Sequence, residues 1–302
     1  METFIKATEV WVPARDRARL ELAGGLYGTA YQFGAISRSM SFARGEGLPH
    51  RTWDEGRPIV LKDLVSSYFL RGVAARAAGL TCAIAMPLFR RDALSAVLVF
   101  FCSDPGTRAG AIELWHHDPH VASDKTLVDG HGGPIGPLFE SASHGTDLAC
   151  GAAVWTNELG APRQGLRTGR APDVGTDSKL SFPCTTPNHG TFVVTFLAGS
   201  VTPIARRMES WTLDETGQKL QLDMGQCAPV GPGQASPAQI VWGGEPGAIG
   251  RALASGVPCV SEDANAEPHR VGVPAATANL TSLVAIPLVS GDQVTKVVVL
   301  YF

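Results

Sequence analysis

The sequence reads Thr8-Glu9-Val10-Trp11 near its start, Ile112-Glu113-Leu114-Trp115 in its middle and Met208-Glu209-Ser210-Trp211 in its last third. Glutamate and tryptophan keep the same spacing in all three segments. Displacing the chain by 200 residues aligns 9–102 with 209–302 without a gap, with 24 identities in 94 positions. Unrelated sequences of ordinary composition would match at roughly 1 position in 14. The three segments therefore mark the starts of repeated units.

The middle third of the chain contains a less regular copy of the same unit. Its opening aligns with the first unit at an offset of 104, whereas its last strands align at an offset of 96, where Pro87 corresponds to Pro183 and Phe100 to Phe196. The middle copy has therefore lost eight residues, the difference between the two offsets. The predicted units are 1–105, 106–203 and 204–302.

Each unit combines alternating apolar segments with short helical patterns. Two alternating segments around a polar turn predict an opening β-hairpin. In the first unit a polar stretch follows, then 50–55 predicts a short helix closed by a glycine, and 57–61 an edge strand. A helical pattern covers 69–79, and the apolar runs 81–89 and 94–101 predict a buried second hairpin. We therefore expect an α+β fold of three consecutive units, each an antiparallel sheet with helices on one face.

The middle of the first unit carries a recognisable motif. It reads Gly-Glu-Gly-Leu-Pro-His-Arg-Thr-Trp-Asp-Glu-Gly-Arg-Pro-Ile-Val-Leu-Lys-Asp-Leu over 45–64, then Ala-Gly-Leu at 78–80 and Ala-Met-Pro-Leu at 85–88. This resembles the GAF domain family, which typically carries G-x-G-L-x-G-x-V-W-x-x-G-x-P followed by an acidic residue. The third unit keeps the outline at 247–258 and 262–263. The resemblance implies three tandem GAF-like repeats, the middle one degenerate.

The resemblance also implies a function. It suggests a free-standing GAF-like protein that binds a small molecule and acts as a sensor or regulator in signalling, without an output domain of its own. Its pocket would lie between the sheet and the segment 65–80, and would be absent or collapsed in the middle unit. The expected ligand-binding residues are Trp53, Asp63, Arg71 and Arg76 in the first unit, and Asp263, His269 and Arg270 in the third.

The recurring glutamates are the most distinctive polar feature of the repeat. Glu9, Glu113 and Glu209 are flanked by apolar residues on their predicted strands. We expect them to line one face of a sheet or a contact between units, and the recurring tryptophans to lie in the core. An unpaired buried carboxylate is costly, so each glutamate should have a partner.

Metal binding and thiol chemistry are alternatives to ligand sensing. Trp115-His116-His117-Asp118-Pro119-His120, followed by His131, offers imidazole and carboxylate groups that suit zinc. Neighbouring strand residues point to opposite faces, however, which favours a solvated turn. One group of GAF proteins reduces free methionine sulfoxide with thiols, but Cys82 and Cys102 lie in or beside buried strands. The sequence favours a protein without catalytic residues, and a protein-interaction scaffold is a further alternative.

Composition limits the class of partner. Hydrophobic residues make up 44% of the chain and charged residues 18%, and the net charge is −3. The sequence has no cluster of Lys and Arg residues, so it does not predict a surface that binds the phosphates of nucleic acid. No apolar run reaches the roughly 20 residues of a membrane helix. The six cysteines stand singly, as suits reduced thiols in a cytoplasmic protein. The expected partners are a small-molecule ligand and, as an option, a protein; no cofactor is identifiable.

Overall fold

A computed structural model describes most of the first and last thirds of the chain and part of the middle. The described residues are 2–103, 110–117, 154–156, 178–198, 202–216, 219–227, 239–241, 247–267, 280–290 and 292–302. They form an α+β arrangement that is dominated by three antiparallel sheets.

The first sheet contains six strands. These are β1 (Ile5–Pro13), β2 (Arg19–Leu26), β3 (Ser41–Ala43), β4 (Ile59–Leu61), β5 (Cys82–Arg90) and β6 (Ala93–Cys102). Their spatial order is β3-β2-β1-β6-β5-β4. Both predicted hairpins are present, as β1–β2 and β5–β6, and the short strand predicted after the glycine lies at the edge of the sheet. The β1–β6 pairing joins the two hairpins into one sheet.

Three short helices accompany this sheet: α1 (Tyr31–Arg38), α2 (Gly47–Glu55) and α3 (Gly72–Ala77). Helix α2 ends at Gly56, whose φ of 62° is the left-handed conformation expected there, although the helix begins three residues before the predicted one. Helix α1 and strand β3 lie in the stretch that the sequence marks only as polar. Among its residues Phe33 is the large apolar side chain that is buried, so the helical pattern is weak.

The third sheet repeats the arrangement of the first. Its strands are β11 (Arg207–Leu213), β12 (Lys219–Cys227), β13 (Gln239–Val241), β14 (Cys259–Ser261), β15 (Leu283–Ser290) and β16 (Gln293–Tyr301), with helix α4 (Gly247–Ser255). The order is β13-β12-β11-β16-β15-β14. Glu9 is paired with Val99 and Glu209 with Val299, so the register of these central strands is displaced by the same 200 residues as the sequence. None of the helices in the described residues is long and apolar enough to cross a membrane.

The second sheet has four strands in the described part of the chain: β7 (Gly110–His117), β8 (Val154–Thr156), β9 (Ser178–Thr186) and β10 (Gly190–Ala198), in the order β7-β10-β9-β8. A proline holds the same register position in each of the three sheets. The pairs are Pro87–Val97, Pro183–Val193 and Pro287–Val297.

The three sheets pack their inner faces against one another. Leu98 and Phe100 of β6, Val194 and Phe196 of β10, and Leu300 of β16 belong to one buried apolar cluster. The rings of Phe100 and Phe196 meet edge to face, with centroids 5.5 Å apart. A single core is thus shared by strands that are about 100 residues apart in sequence.

The outer faces of the first and third sheets are covered by helices. Because strand residues alternate between faces, Val97, Val99 and Phe101 point away from the shared core and into a second cluster beneath α1, α2 and α3. Residues of β11, β15 and β16 form the corresponding cluster with α4 in the third sheet. Strands β6 and β16 are therefore buried on both faces, which explains their continuous apolar runs.

We predict that Phe100 and Phe196 are energetically coupled across the first and second sheets. A double-mutant cycle with F100L and F196L should give a coupling energy of about 0.5–1.5 kcal/mol, because edge-to-face rings are stabilised beyond their buried area. The measurement is urea unfolding of the four proteins. Phe42 lies in the outer cluster, so F42L with F196L should be additive within about 0.5 kcal/mol. Equal coupling in both cycles would contradict the shared core.

Candidate functional site

A buried carboxylate organises the outer face of the first sheet. Glu9 of β1 is 0% exposed. Its Oε1 accepts hydrogen bonds from Arg71 Nη1 at 2.6 Å and from the Tyr27 hydroxyl at 3.3 Å. Its Oε2 accepts from Arg71 Nη2 at 2.9 Å and from Trp11 Nε1 at 2.9 Å. A buried carboxylate was expected to have a partner, and here that partner is the guanidinium of Arg71, which binds both oxygens. Each carboxylate oxygen thus accepts two hydrogen bonds.

Arg71 is itself almost fully buried. It immediately precedes α3, is 4% exposed, and its Nη1 also donates to the hydroxyl of Ser37 on α1. Five aromatic rings lie within 6 Å of its Cζ, and the nearest is Phe33 at 4.5 Å. Ring faces attract a cation and so offset part of its lost hydration. Its Nε has no hydrogen-bond acceptor among the described residues.

Tyr27 supplies a neutral donor to the same carboxylate. Burial, reinforced by the negative charge of Glu9, raises the pKa of the Tyr27 phenol above its usual value. The hydroxyl therefore stays protonated at neutral pH and donates to Glu9 Oε1. Gly25 and Gly34 lie against the ring so closely that a Cβ on either would come within 3 Å of it. Glycine at these two positions is what admits the tyrosine.

The third sheet contains an equivalent network assembled from other positions. Glu209 accepts hydrogen bonds from Arg207 Nε at 2.7 Å, Trp211 Nε1 at 3.0 Å and the Tyr301 hydroxyl at 2.7 Å. Burial raises the pKa of Tyr301 well above its usual value. Glutamate and tryptophan occupy repeat-equivalent positions in the two networks. The arginine and tyrosine do not.

The sequence signal for these partners is indirect. In the 200-residue alignment Arg207 corresponds to Ala7 and Tyr301 to Phe101. Because neither position is identical between the repeats, a search for identical residues does not find them. Arg207 could have been found from its position two residues before Glu209, because alternate strand residues share a face. Arg71 is 62 residues from Glu9, and no local pattern links them. The side chain of Glu113 lies outside the described part of the chain.

A groove opens beside Arg71, between α1 and α3. Its volume is about 540 Å³. Its lining is mainly apolar, and Arg71 is its charged member: Thr29, Ala30, Tyr31, Gln32, Phe33, Ile36, Leu70, Arg71, Val73, Ala74, Ala77 and Ala78. Four of these are large hydrophobic side chains exposed to solvent, with Val73 at 85% and Tyr31 at 69%. Large exposed apolar patches are characteristic of binding sites.

The residues predicted from sequence to bind the ligand are dispersed. Arg71 lines the groove, whereas Trp53 is half-buried in the outer cluster with its ring 4.9 Å from that of His50. Asp63 is exposed, and its Oδ1 accepts hydrogen bonds from the backbone N–H groups of Val65 and Ser66. These residues do not form one lining together.

The remaining predicted residues that the structure describes, Arg76 and Asp263, lie on the surface. Arg76 is exposed on α3 and contributes, after the hydrogen bonds from Ser66 and Val65, to lowering the pKa of Asp63. In the third unit Asp263 is also exposed and accepts a hydrogen bond from the backbone of Asn265 at 2.9 Å. His269 and Arg270 lie outside the described residues.

Three of the described cysteines, Cys102, Cys184 and Cys259, are poorly suited to nucleophilic chemistry. Burial raises the pKa of Cys184 to about 12, and its thiol donates to the Pro87 carbonyl at 3.2 Å. Burial, together with the neighbouring Cys82 thiol, raises the pKa of Cys102 well above its usual value. Burial also raises the pKa of Cys259. An activated cysteine needs the opposite shift.

The described ranges contain no cluster of three or more His, Cys, Asp or Glu side chains that could bind a metal ion. The histidine-rich segment considered from sequence is not covered by that statement. The side chains of His116 and His117, and all of 118–120 and His131, lie outside the described residues.

Comparison with known proteins identifies a GAF domain at residues 203–302, one third of the chain. This fold binds small ligands in signalling proteins. No curated protein sequence matches the chain. The described strands of the third sheet all fall inside the matched range.

Three solved structures are similar in part. A GAF domain/HD domain protein from Geobacter sulfurreducens is 18% identical, with a TM-score of 0.28 over 33% of this chain and 63% of that one. The nlh2 GAF domain from A. aeolicus, in an inactive state, is 19% identical, with a TM-score of 0.27 over 33% and 59%. NreA from Staphylococcus aureus, mutated in its nitrate binding site, is 14% identical, with a TM-score of 0.27 over 33% and 74%. The chain spans less than two thirds of the first two.

We predict that R71M lowers the free energy of unfolding by about 3–5 kcal/mol, because it leaves the Glu9 carboxylate buried without its counter-charge. R76M removes an exposed arginine from the same segment and should change it by no more than about 0.5 kcal/mol. Urea denaturation of both variants is the measurement. A double variant E9Q/R71M should lose less than the sum of its single variants. Equal, small effects of R71M and R76M would contradict the buried pair.

A second prediction concerns the thiols. Iodoacetamide at pH 8 should leave Cys102 and Cys184 unmodified in the folded protein and modify both in denaturant, because only the thiolate reacts and burial suppresses it. Peptide mass spectrometry before and after unfolding is the measurement. Rapid modification of either residue in the folded protein would contradict this prediction and would support a function based on thiol chemistry.

Proposed function

We propose that this chain is a sensor or regulatory protein of the cytoplasm that binds a small ligand through GAF-like units at 1–105, 106–203 and 204–302. Two findings support this proposal. A GAF domain occupies 203–302, and the first sheet has the strand order of the third, with the β1–β6 pairing displaced by 200 residues from the β11–β16 pairing. The unit boundaries also agree with the strands, since those of each sheet fall within one of the three ranges.

The groove between α1 and α3 is the proposed ligand site of the first unit, and its geometry is the observation that carries the proposal. Its volume of about 540 Å³ is in the range of small-molecule sites. A mainly apolar lining with one charged group and a few polar groups is also typical of such sites. Of the residues predicted from sequence, Arg71 contributes directly to this lining.

The buried ion pair offers a route from ligand to structure. Arg71 joins the start of α3 to β1 through Glu9 and to α1 through Ser37. A ligand that contacts α1 and α3 together would favour one spacing of the two helices over another. It could shift that equilibrium only by its difference in affinity for the two states. The output of the sensor would then be a change at the surface formed by these helices.

A protein-interaction scaffold is the second candidate, and one observation favours it. The four exposed large hydrophobic residues of the described chain, Tyr31, Ile36, Leu70 and Val73, all border this one groove. The same apolar surface would suit a protein partner. Light scattering of the purified protein, with and without candidate partners, measures that alternative independently of any small molecule.

The test of the ligand proposal is a comparison of native and denaturing mass spectra of the freshly purified protein. We predict a mass excess that is lost on denaturation and is absent from A74F, because Ala74 lines the groove and a phenyl ring there would fill it. The matched control is A254F, which places the same ring on the exposed face of α4. An excess that persists in A74F would place the ligand elsewhere. A bare polypeptide mass, with no ligand found by screening, would favour the scaffold.

A further inference from the structure

We propose that the junction of the three sheets is a second binding site, which takes a compact uncharged molecule of about the size of benzene. This inference goes beyond the proposed function, because the junction is separate from the groove between α1 and α3 and is built from all three sheets. It is carried by the equivalence of the lining segments, by the absence of charge from the lining and by the size of the cavity.

A cavity of about 160 Å³ lies where the hairpins β5–β6, β9–β10 and β15–β16 meet. Each sheet contributes the same segment of the repeat to its lining: 87–89 from β5, 183–185 from β9 and 287–289 from β15. The proline that opens each segment is the one that holds the same register position in the three sheets. The cavity is therefore lined by repeat-equivalent backbone, and its lining is complete when all three sheets are assembled.

The middle residue of each segment contacts the shared core. Leu88, Cys184 and Leu288 occupy this position, and all three belong to the shared apolar cluster or pack against it. Cysteine has a smaller side chain than leucine, so the second sheet fills less of the junction than the other two sheets do. The Cys184 thiol donates to the Pro87 carbonyl at 3.2 Å, which holds β9 against β5. The cavity thus lies where the repeat replaces a leucine with a smaller residue.

The cavity extends from the surface to the core. Of its lining residues, Thr185 and Ser290 are exposed, whereas Cys184 and Leu288 are buried. Strands β5 and β15 each shift register at this level, immediately after Leu88 and Leu288, whereas β9 pairs with β10 without a shift. Bulges of this kind bend a strand and are common beside functional sites. Bending of the two outer strands keeps the junction open at the hairpin ends.

The lining favours an uncharged ligand. Among the described residues, no charged side chain belongs to it, and burial raises the pKa of the Cys184 thiol, which therefore stays protonated at neutral pH. The nearby arginines of the β5–β6 turn are engaged elsewhere: Arg91 Nε binds Asp292 Oδ2 at 2.9 Å, and Arg90 Nε donates to the Asp292 carbonyl at 3.2 Å. An ion in the junction would lose hydration without gaining a counter-charge.

The volume limits the ligand to a compact molecule. An apolar cavity of about 150 Å³ is large enough to bind benzene, whereas drug-sized ligands need about 300 Å³ or more. Leu88, Phe89, Leu288 and Val289 supply apolar contacts around such a molecule. Covering these side chains removes apolar surface from water, which is the main driving force. The junction and the larger groove beside Arg71 therefore differ in the size of molecule that they accept.

The experiment titrates the full chain, labelled with ¹³C methyl groups, with benzene, benzoate and benzylammonium. These probes share one ring and differ in charge. The methyl signals of Leu88, Leu288 and Val289 report on the junction, and those of Ile36 and Val73 report on the groove.

Two variants carry the same substitution in different places. C184L fills the junction with the side chain that the other two sheets have at this position. C259L is the matched control, because Cys259 of β14 packs against the outer cluster of the third sheet and does not line the cavity. C184A keeps the cavity open and serves as the second variant if C184L does not fold.

We expect benzene to shift the junction signals in the unsubstituted protein, in C259L and in C184A, and to leave them unchanged in C184L. The shifts should also persist in A74F, which fills the groove. Benzoate and benzylammonium should bind the junction at least about tenfold more weakly than benzene, the change that about 1.4 kcal/mol produces.

Three outcomes would overturn the proposal. Junction signals that do not respond to benzene, or that respond equally in C184L, would show that the cavity is not a binding site. Equal affinity for the three probes would contradict the uncharged ligand class. Benzene shifts confined to Ile36 and Val73 would place the compact molecule in the groove, which overturns the junction site and leaves the proposed function intact.

Discussion

A carboxylate buried at the centre of a strand governs how the outer face of the first sheet is built. Glu9 lies where every neighbouring position on the strand faces a core, so its charge must be neutralised and its oxygens must accept hydrogen bonds. Four donated bonds from Arg71, Tyr27 and Trp11 meet that demand. They also determine where α3 begins relative to the sheet, because Arg71 directly precedes that helix.

The third sheet meets the same demand by different means, which shows what is constrained. A guanidinium, a tyrosine hydroxyl and an indole N–H surround both Glu9 and Glu209, yet Arg207 comes from the same strand as its glutamate and Arg71 from a distant segment. The chemistry around the carboxylate is retained while the positions that supply it change. In the first sheet the consequence is an arginine that joins α3 to β1 and borders a groove.

The packing of the sheets explains where a binding site can lie. Their inner faces are committed to one another through the shared core, in which Phe100 of the first sheet meets Phe196 of the second. On the outer face of the first sheet, the groove beside Arg71 combines a volume of about 540 Å³ with exposed apolar side chains. The GAF domain at 203–302 covers the third sheet, and a ligand role for the groove of the first sheet is our proposal.

Features that have a local period could be predicted from the amino-acid sequence. The 200-residue repeat, both hairpins of the first sheet, the helix that ends at Gly56 and the register of the three prolines can all be read from spacing, because strand alternation and glycine conformation act over a few residues. Helix α1 was not predicted, because few of its side chains are buried and its apolar pattern is therefore weak. The pairing of Arg71 with Glu9 and the groove between α1 and α3 could not be predicted in this way. Both depend on which distant segment packs over which strand, and Arg71 and Glu9 are 62 residues apart in sequence.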